Sequence, residues 1–98
     1  MSEIYFAPTK KAAPITLVQL QQRFTDAGLP CTIEDDSPET HWIVFEPHES
    51  TIYASTTGDR VTLATLNPGF DDDPKVLATI ERVMDTIGFS ANEDADYA

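Results

Sequence analysis

Apolar residues recur along the chain in two rhythms, and the first of them predicts helices. Between residues 16 and 27 they are spaced three or four apart, at Leu17, Leu20, Phe24 and Ala27, which places them on one helical face. Thr16 and Gln19 form a capping-box pattern at the start of this helix, and Gly28 and Pro30 end it. The sequence therefore predicts a helix from Thr16 to about Ala27.

A second helix is predicted after the acidic segment 71–73. Asp73 suits the N-cap position and Pro74 the first helical position, and Gly88 is placed to end the helix. The apolar stripe that follows matches a helix packed on a core, and it consists of Val76, Leu77, Ile80, Val83, Met84 and Ile87.

The second rhythm, alternation, predicts strands at 4–7, 31–35, 41–46, 51–56 and 60–66, with a hairpin turn at Thr57-Gly58-Asp59. Short connections favour an antiparallel meander, and both helices need a sheet face to cover. The predicted fold is therefore α+β, a two-layer sandwich in the order β-α-β-β-β-β-α. Two helices pack on one face of a four- to five-stranded sheet. Residues 1–90 form one domain, and the acidic, aliphatic-poor segment 91–98 is predicted to be a disordered tail.

Alternation also predicts which side chains face the helices. The hairpin allows two registers, with Ala54 opposite either Leu63 or Val61, and both put the same residues on each side. The predicted inner side carries Cys31, Ile33, Ile43, Phe45, Ile52, Ala54, Val61 and Leu63. The predicted outer side carries Thr32, Glu34, Trp42, Val44, Glu46, Tyr53, Ser55, Thr62 and Ala64.

The outer side is unusual because an uncovered sheet face is normally polar throughout. Here Trp42, Val44 and Tyr53 form an apolar centre with a polar rim that includes Glu46, which is typical of protein interfaces. Two structural explanations compete with an interface. The N-terminal segment with Tyr5 and Phe6 could fold across the patch, or the aromatic residues could simply stabilise neighbouring strands.

Charge narrows the classes of partner. The 98 residues carry 17 acidic and 6 basic side chains, a net charge of −11, which disfavours direct binding of nucleic acid or of an anionic membrane. No apolar run approaches the ~20 residues of a membrane span, and no secretion signal is recognisable. With a single cysteine, Cys31, an internal disulfide is impossible. The sequence predicts a cytoplasmic protein.

No motif for chemistry emerges. Cys31 with His41 or His48 lacks a catalytic signature, and Glu46, His48 and Glu49 share a loop without a recognisable metal-ligand pattern. The acids at 71–73 lack the spacing of a calcium loop, and helix capping accounts for them. We therefore expect neither catalytic residues nor a metal or other cofactor.

The leading expectation is a non-enzymatic protein-interaction module that binds a protein partner through Trp42, Val44, Tyr53 and Glu46, with a homodimer as one form. By its order of elements alone the chain resembles bacterial secretion chaperones, a resemblance that implies dimerisation and extended partners. The alternative is an acidic inhibitor, immunity-type protein or nucleic-acid mimic. It would bind a basic partner through Asp35, Asp36, Asp71 and Asp72.

Overall fold

The computed structural model describes residues 3–45, 48–69 and 72–91 of the chain. Its elements are β1 (Ile4–Pro8), α1 (Leu17–Asp26), β2 (Thr32–Ser37), β3 (Thr40–Val44), β4 (Thr51–Thr57), β5 (Arg60–Asn67), α2 (Pro74–Thr86) and β6 (Phe89–Ala91). The strands form one antiparallel sheet in the order β2-β3-β4-β5-β1-β6. The predicted α+β class is confirmed, with six strands where four or five were expected.

Both helices begin at the predicted caps. The Thr16 hydroxyl accepts from the Gln19 amide at 3.1 Å, and the Gln19 side chain accepts from the Thr16 amide at 2.9 Å. The Asp73 carboxylate accepts from the amide of Lys75 at the start of α2. Each cap satisfies amides that have no partner within the helix. Together the two caps fix where the helices of the helical layer begin.

The core lies between the two helices and one face of the sheet. Leu20 and Phe24 of α1 are fully buried, and the Phe24 ring meets Phe45 edge-on with centroids 4.9 Å apart. The buried residues of α2 are Val76, Ile80, Val83 and Met84. All of them belong to one cluster with the inward side chains of the sheet, so both helices cover the same face, as predicted.

The N-terminal segment does not fold across the sheet but lies within it. Strand β1 pairs with β5 on one side and with β6 on the other. Phe6 points into the core and is 2% exposed, so the explanation in which segment 4–8 covers the outer patch is wrong.

Strand β6 was not predicted. It follows a tight turn in which Gly88 has φ +87° and an added Cβ would lie 2.6 Å from Ala12 Cα. Ala91, expected to open the tail, is the last residue of β6, and the rest of the predicted tail, 92–98, lies outside the described residues.

A β-bulge in β5 corrects the predicted register. The turn is Gly58-Asp59, since Thr57 pairs with Arg60, but Thr62 is an extra residue and Ala54 pairs with Ala64. One inserted residue reverses the side on which every following side chain points. Ala64 is therefore buried and Leu63 is 36% exposed, the opposite of the predicted sides.

Candidate functional site

The candidate site is the outer face, the side of the sheet that the helices leave uncovered. A row of directly paired residues crosses five strands at its middle, and we call it the central row. Glu34 of β2 pairs with Trp42, Trp42 with Tyr53, Tyr53 with Thr65, and Thr65 with Tyr5 of β1. Because directly opposite side chains lie about 4.5–5.5 Å apart at Cβ, the central row is continuous.

Trp42 and Tyr53 form the apolar centre of this face. Their ring centroids are 4.6 Å apart with the planes tilted by 53°, and both side chains are half-buried. This contact stabilises the pairing of β3 with β4, as the second structural explanation requires, and it leaves aromatic surface accessible. The structure thus brings two of the predicted interface residues together.

Of the other two predicted interface residues, only Val44 lies in the described part of the chain. Val44 is half-buried and pairs with Thr32 and Thr51 in the row beside the central row. Glu46 lies outside the described residues. Leu63, which the bulge turns outward, adds apolar surface on the opposite side of the central row, where it pairs with Ser55.

Asp36 joins the acidic residues to the aromatic pair. It is an extra residue in β2, inserted between the pairs Asp35–His41 and Ser37–Thr40. Its Oδ2 accepts hydrogen bonds from the Tyr53 hydroxyl at 2.8 Å and from Thr40 Oγ1 at 3.2 Å. The bulge therefore carries an exposed carboxylate onto the outer face and fixes it there.

Asp35, next to it in the chain, points elsewhere. Its Oδ1 lies 2.7 Å from His41 Nδ1, and the other ring nitrogen of His41 lies 3.3 Å from Thr56 Oγ1. The order carboxylate, imidazole, hydroxyl is that of an acyl-transfer triad. However, Asp35 is 75% exposed, and the Thr56 amide donates to the Glu39 carbonyl and so is no free oxyanion donor. We interpret Asp35, His41 and Thr56 as a polar cluster at the edge of the core between the sheet and the helices.

Asp72 is not part of an exposed acidic surface, because its side chain is only 6% exposed. Its oxygens accept from the amide of Glu49 at 3.0 Å, the amide of Ser50 at 2.7 Å and the Ser50 hydroxyl at 2.5 Å. Burial alone would raise the pKa of Asp72, but these bonds, helped by the nearby His48, lower it below its ordinary value. Asp71 lies outside the described residues.

The polar network around Asp72 joins two connections of the fold. The buried Ser50 hydroxyl also accepts from the Gly69 amide at 2.9 Å, so the segment before β4 is tied to the segment before α2. A Cβ at Gly69 would lie 2.6 Å from Asp72 Oδ2 and 2.7 Å from the Ser50 amide nitrogen. Only glycine fits there without displacing the network.

The remaining candidates for chemistry do not assemble. Cys31 Sγ contacts the Gln21 carbonyl at 3.9 Å, and burial raises the pKa of this thiol to about 11. His41, one of the two histidines considered as a base for this thiol, contacts Asp35 and Thr56 instead. Within ranges 3–45, 48–69 and 72–91, no group of three or more His, Cys, Asp or Glu side chains could hold a metal ion. Those same ranges contain no helix with the length and apolarity needed to cross a membrane.

Comparison with known proteins does not identify a family for this chain. No protein-family model, no curated protein and no solved structure matches the chain. Inferences about function therefore rest on the residues and contacts described above.

Proposed function

We propose that this protein is a non-enzymatic interaction module that binds another protein through the outer face of its sheet. The observation that carries the proposal is the half-exposed Trp42–Tyr53 pair on a face that neither helix covers. Aromatic residues at the centre of a polar rim are the usual source of binding energy at interfaces.

The charges of this face favour a different protein over a second copy of the same chain. A two-fold dimer through the outer face would bring the same surface patch of the two copies together. Glu34 and Asp36 border the aromatic pair, and each copy carries a net charge of −11. Like charges that face each other across an interface oppose binding, so the homodimer is the less favoured form.

The test is to place a photo-crosslinking amino acid at Thr65, beside Tyr53 in the central row, in cells of the organism that encodes the protein. The matched control carries it at Val18, which is 68% exposed on α1, in the other layer. We expect one discrete covalent adduct from position 65 and none from position 18. Adding Trp42→Ala to the Thr65 derivative should abolish the adduct.

Two results would decide against this proposal. Equal adducts from both positions would show contact without a preferred face, and no adduct from either would show no partner at all. An adduct of twice the 10.8 kDa chain mass would select the homodimer instead of a heterologous partner.

A further inference from the structure

Around the aromatic pair, the outer face combines aromatic surface with acidic side chains in three paired rows that contain no basic ones; Arg60 pairs with Thr57 beyond them, at the start of β5. Its three paired rows contain Glu34, Trp42, Tyr53, Thr65 and Tyr5, then Thr32, Val44, Thr51 and Asn67, then Ser37, Thr40, Ser55 and Leu63. None of these is lysine or arginine. The six basic residues lie in the β1–α1 connection, in the helices and at the start of β5, and are Lys10, Lys11, Arg23, Lys75, Arg82 and Arg60.

Neither of the two carboxylates next to the aromatic pair forms an ion pair with a basic residue in the described part of the chain. Glu34 is exposed and pairs across the strands with Trp42, and in the described part of the chain it forms no ion pair. Both hydrogen bonds to Asp36 end on Oδ2, so Oδ1 accepts none from the described residues. The Asp36 carboxylate is thus held in place with one oxygen that accepts no hydrogen bond from the described residues, and Glu34 is the direct cross-strand neighbour of Trp42.

This arrangement has the chemistry of an arginine site. A guanidinium group stacks on the face of an indole ring and at the same time forms paired hydrogen bonds with carboxylates. Lysine offers the same charge without the planar fork. The Tyr53–Asp36 hydrogen bond sets the carboxylate and the aromatic pair in a fixed relation before any partner arrives, which reduces the entropic cost of binding.

On the basis of the proposed function, we propose that the partner presents a basic segment, with an arginine side chain lying over Trp42 between Glu34 and Asp36. The occupant is a protein segment, because the face offers a continuous row of side chains across five strands of the sheet. Charge complementarity then selects the partner, and the aromatic pair selects arginine over lysine.

Trp42 is the only tryptophan of the chain, so the fluorescence of the protein reports on this site directly. The probe is a tryptophan-free peptide in which arginine alternates with serine, compared with the same peptide built with lysine or with neutral citrulline. We expect a saturable fluorescence change with the arginine peptide and affinity about two- to fivefold tighter than for the lysine peptide. The citrulline peptide should not saturate, and added salt should weaken the arginine complex.

A matched pair of variants separates a local site from general attraction to an acidic protein. Glu34→Gln and Glu81→Gln each remove one negative charge, and Glu81 is exposed on α2 in the other layer. We expect Glu34→Gln to weaken arginine binding about two- to fivefold and Glu81→Gln to change it little. Circular dichroism of both variants checks that the fold is retained.

The proposal is overturned if the arginine and lysine peptides bind equally, if both variants weaken binding alike, or if Trp42 fluorescence does not respond. These results differ from a failure of the proposed function. A crosslink from position 65 without arginine preference would leave the interaction face in place and reject only this partner class. Arginine preference without a crosslink would reject the proposed interaction with a protein in cells and leave the arginine preference of the face in place.

Discussion

Replacing Asp72 by asparagine tests whether a buried carboxylate ties the two connections of the fold together. The substitution preserves the size of the side chain but removes its charge and turns one acceptor oxygen into a donor. In the native protein both oxygens accept, Oδ1 from the Glu49 amide and Oδ2 from the Ser50 amide and hydroxyl. An asparagine can serve only one of these two positions as an acceptor.

The magnitude follows from these bonds. If the asparagine oxygen takes the Oδ2 position, the two Ser50 bonds survive as neutral bonds and the Glu49 bond is lost. Hydrogen bonds to charged groups contribute about 1.5–3 kcal/mol and neutral ones about 1 kcal/mol. We therefore expect Asp72→Asn to lower the free energy of unfolding by about 2.5–7 kcal/mol, a large part of the 5–15 kcal/mol that is typical of domains.

The pKa of Asp72 predicts how the stability difference between wild type and Asp72→Asn changes with pH. The pKa of Asp72 is lowered from its ordinary value of 3.8, so the carboxylate stabilises the fold fully above that value. This contribution is lost as the pH falls through the lower pKa of the folded state. Urea unfolding of wild type and Asp72→Asn should show a constant difference near neutral pH that shrinks below a pH of about 4.

The matched control is Asp59→Asn, which makes the same change of charge at an exposed turn residue. We expect it to alter the free energy of unfolding by less than about 0.5 kcal/mol. Equal effects of the two variants, or a difference for Asp72→Asn that persists unchanged into acid, would refute the role assigned to this network.

Two further predictions concern the core and the single thiol. Ile80→Ala, at a fully buried position of α2, should lower the free energy of unfolding measured in urea by about 2–5 kcal/mol. A loss below ~1 kcal/mol would place α2 outside the core. Val18→Ala is the exposed control. Because burial raises the pKa of Cys31 to about 11, its reaction with a disulfide reagent should be slow near neutral pH and accelerate as the pH approaches that value. A rate near neutral pH equal to that of the urea-unfolded chain would contradict this.

Local signals in the sequence predicted the helices well. The reciprocal bonds of Thr16 and Gln19, the cap at Asp73 and the buried stripe along α2 all involve residues within a few positions of each other. The pairing of β1 with β5 joins residues some sixty positions apart along the chain. No local pattern specifies such a partner, which explains why the position of β1 could not be predicted from the sequence.

The two bulges mark where alternation fails as a guide. In β5 the extra residue Thr62 reverses Leu63 and Ala64, and in β2 the extra residue Asp36 reaches Tyr53 on the outer face. Leu63 and Ala64 are both apolar, so either of them could face the core. Nothing in the sequence therefore distinguishes a regular strand β5 from a bulged one. Burial against α1 and α2 decides between them, because it is a property of the assembled layers.

The bulge in β2 also changes how the two hypotheses about function relate to each other. From the sequence, the aromatic face and the acidic surface were separate sites, with Trp42 and Tyr53 in one and Asp35 and Asp36 in the other. In the fold, Asp36 bonds to Tyr53 while Asp35 turns to His41. A partner that contacts the aromatic pair therefore meets the Asp36 carboxylate as well. If the outer face is the interface, dependence on Trp42 and sensitivity to salt should belong to one binding event, and a partner whose binding shows one without the other does not use this face as proposed.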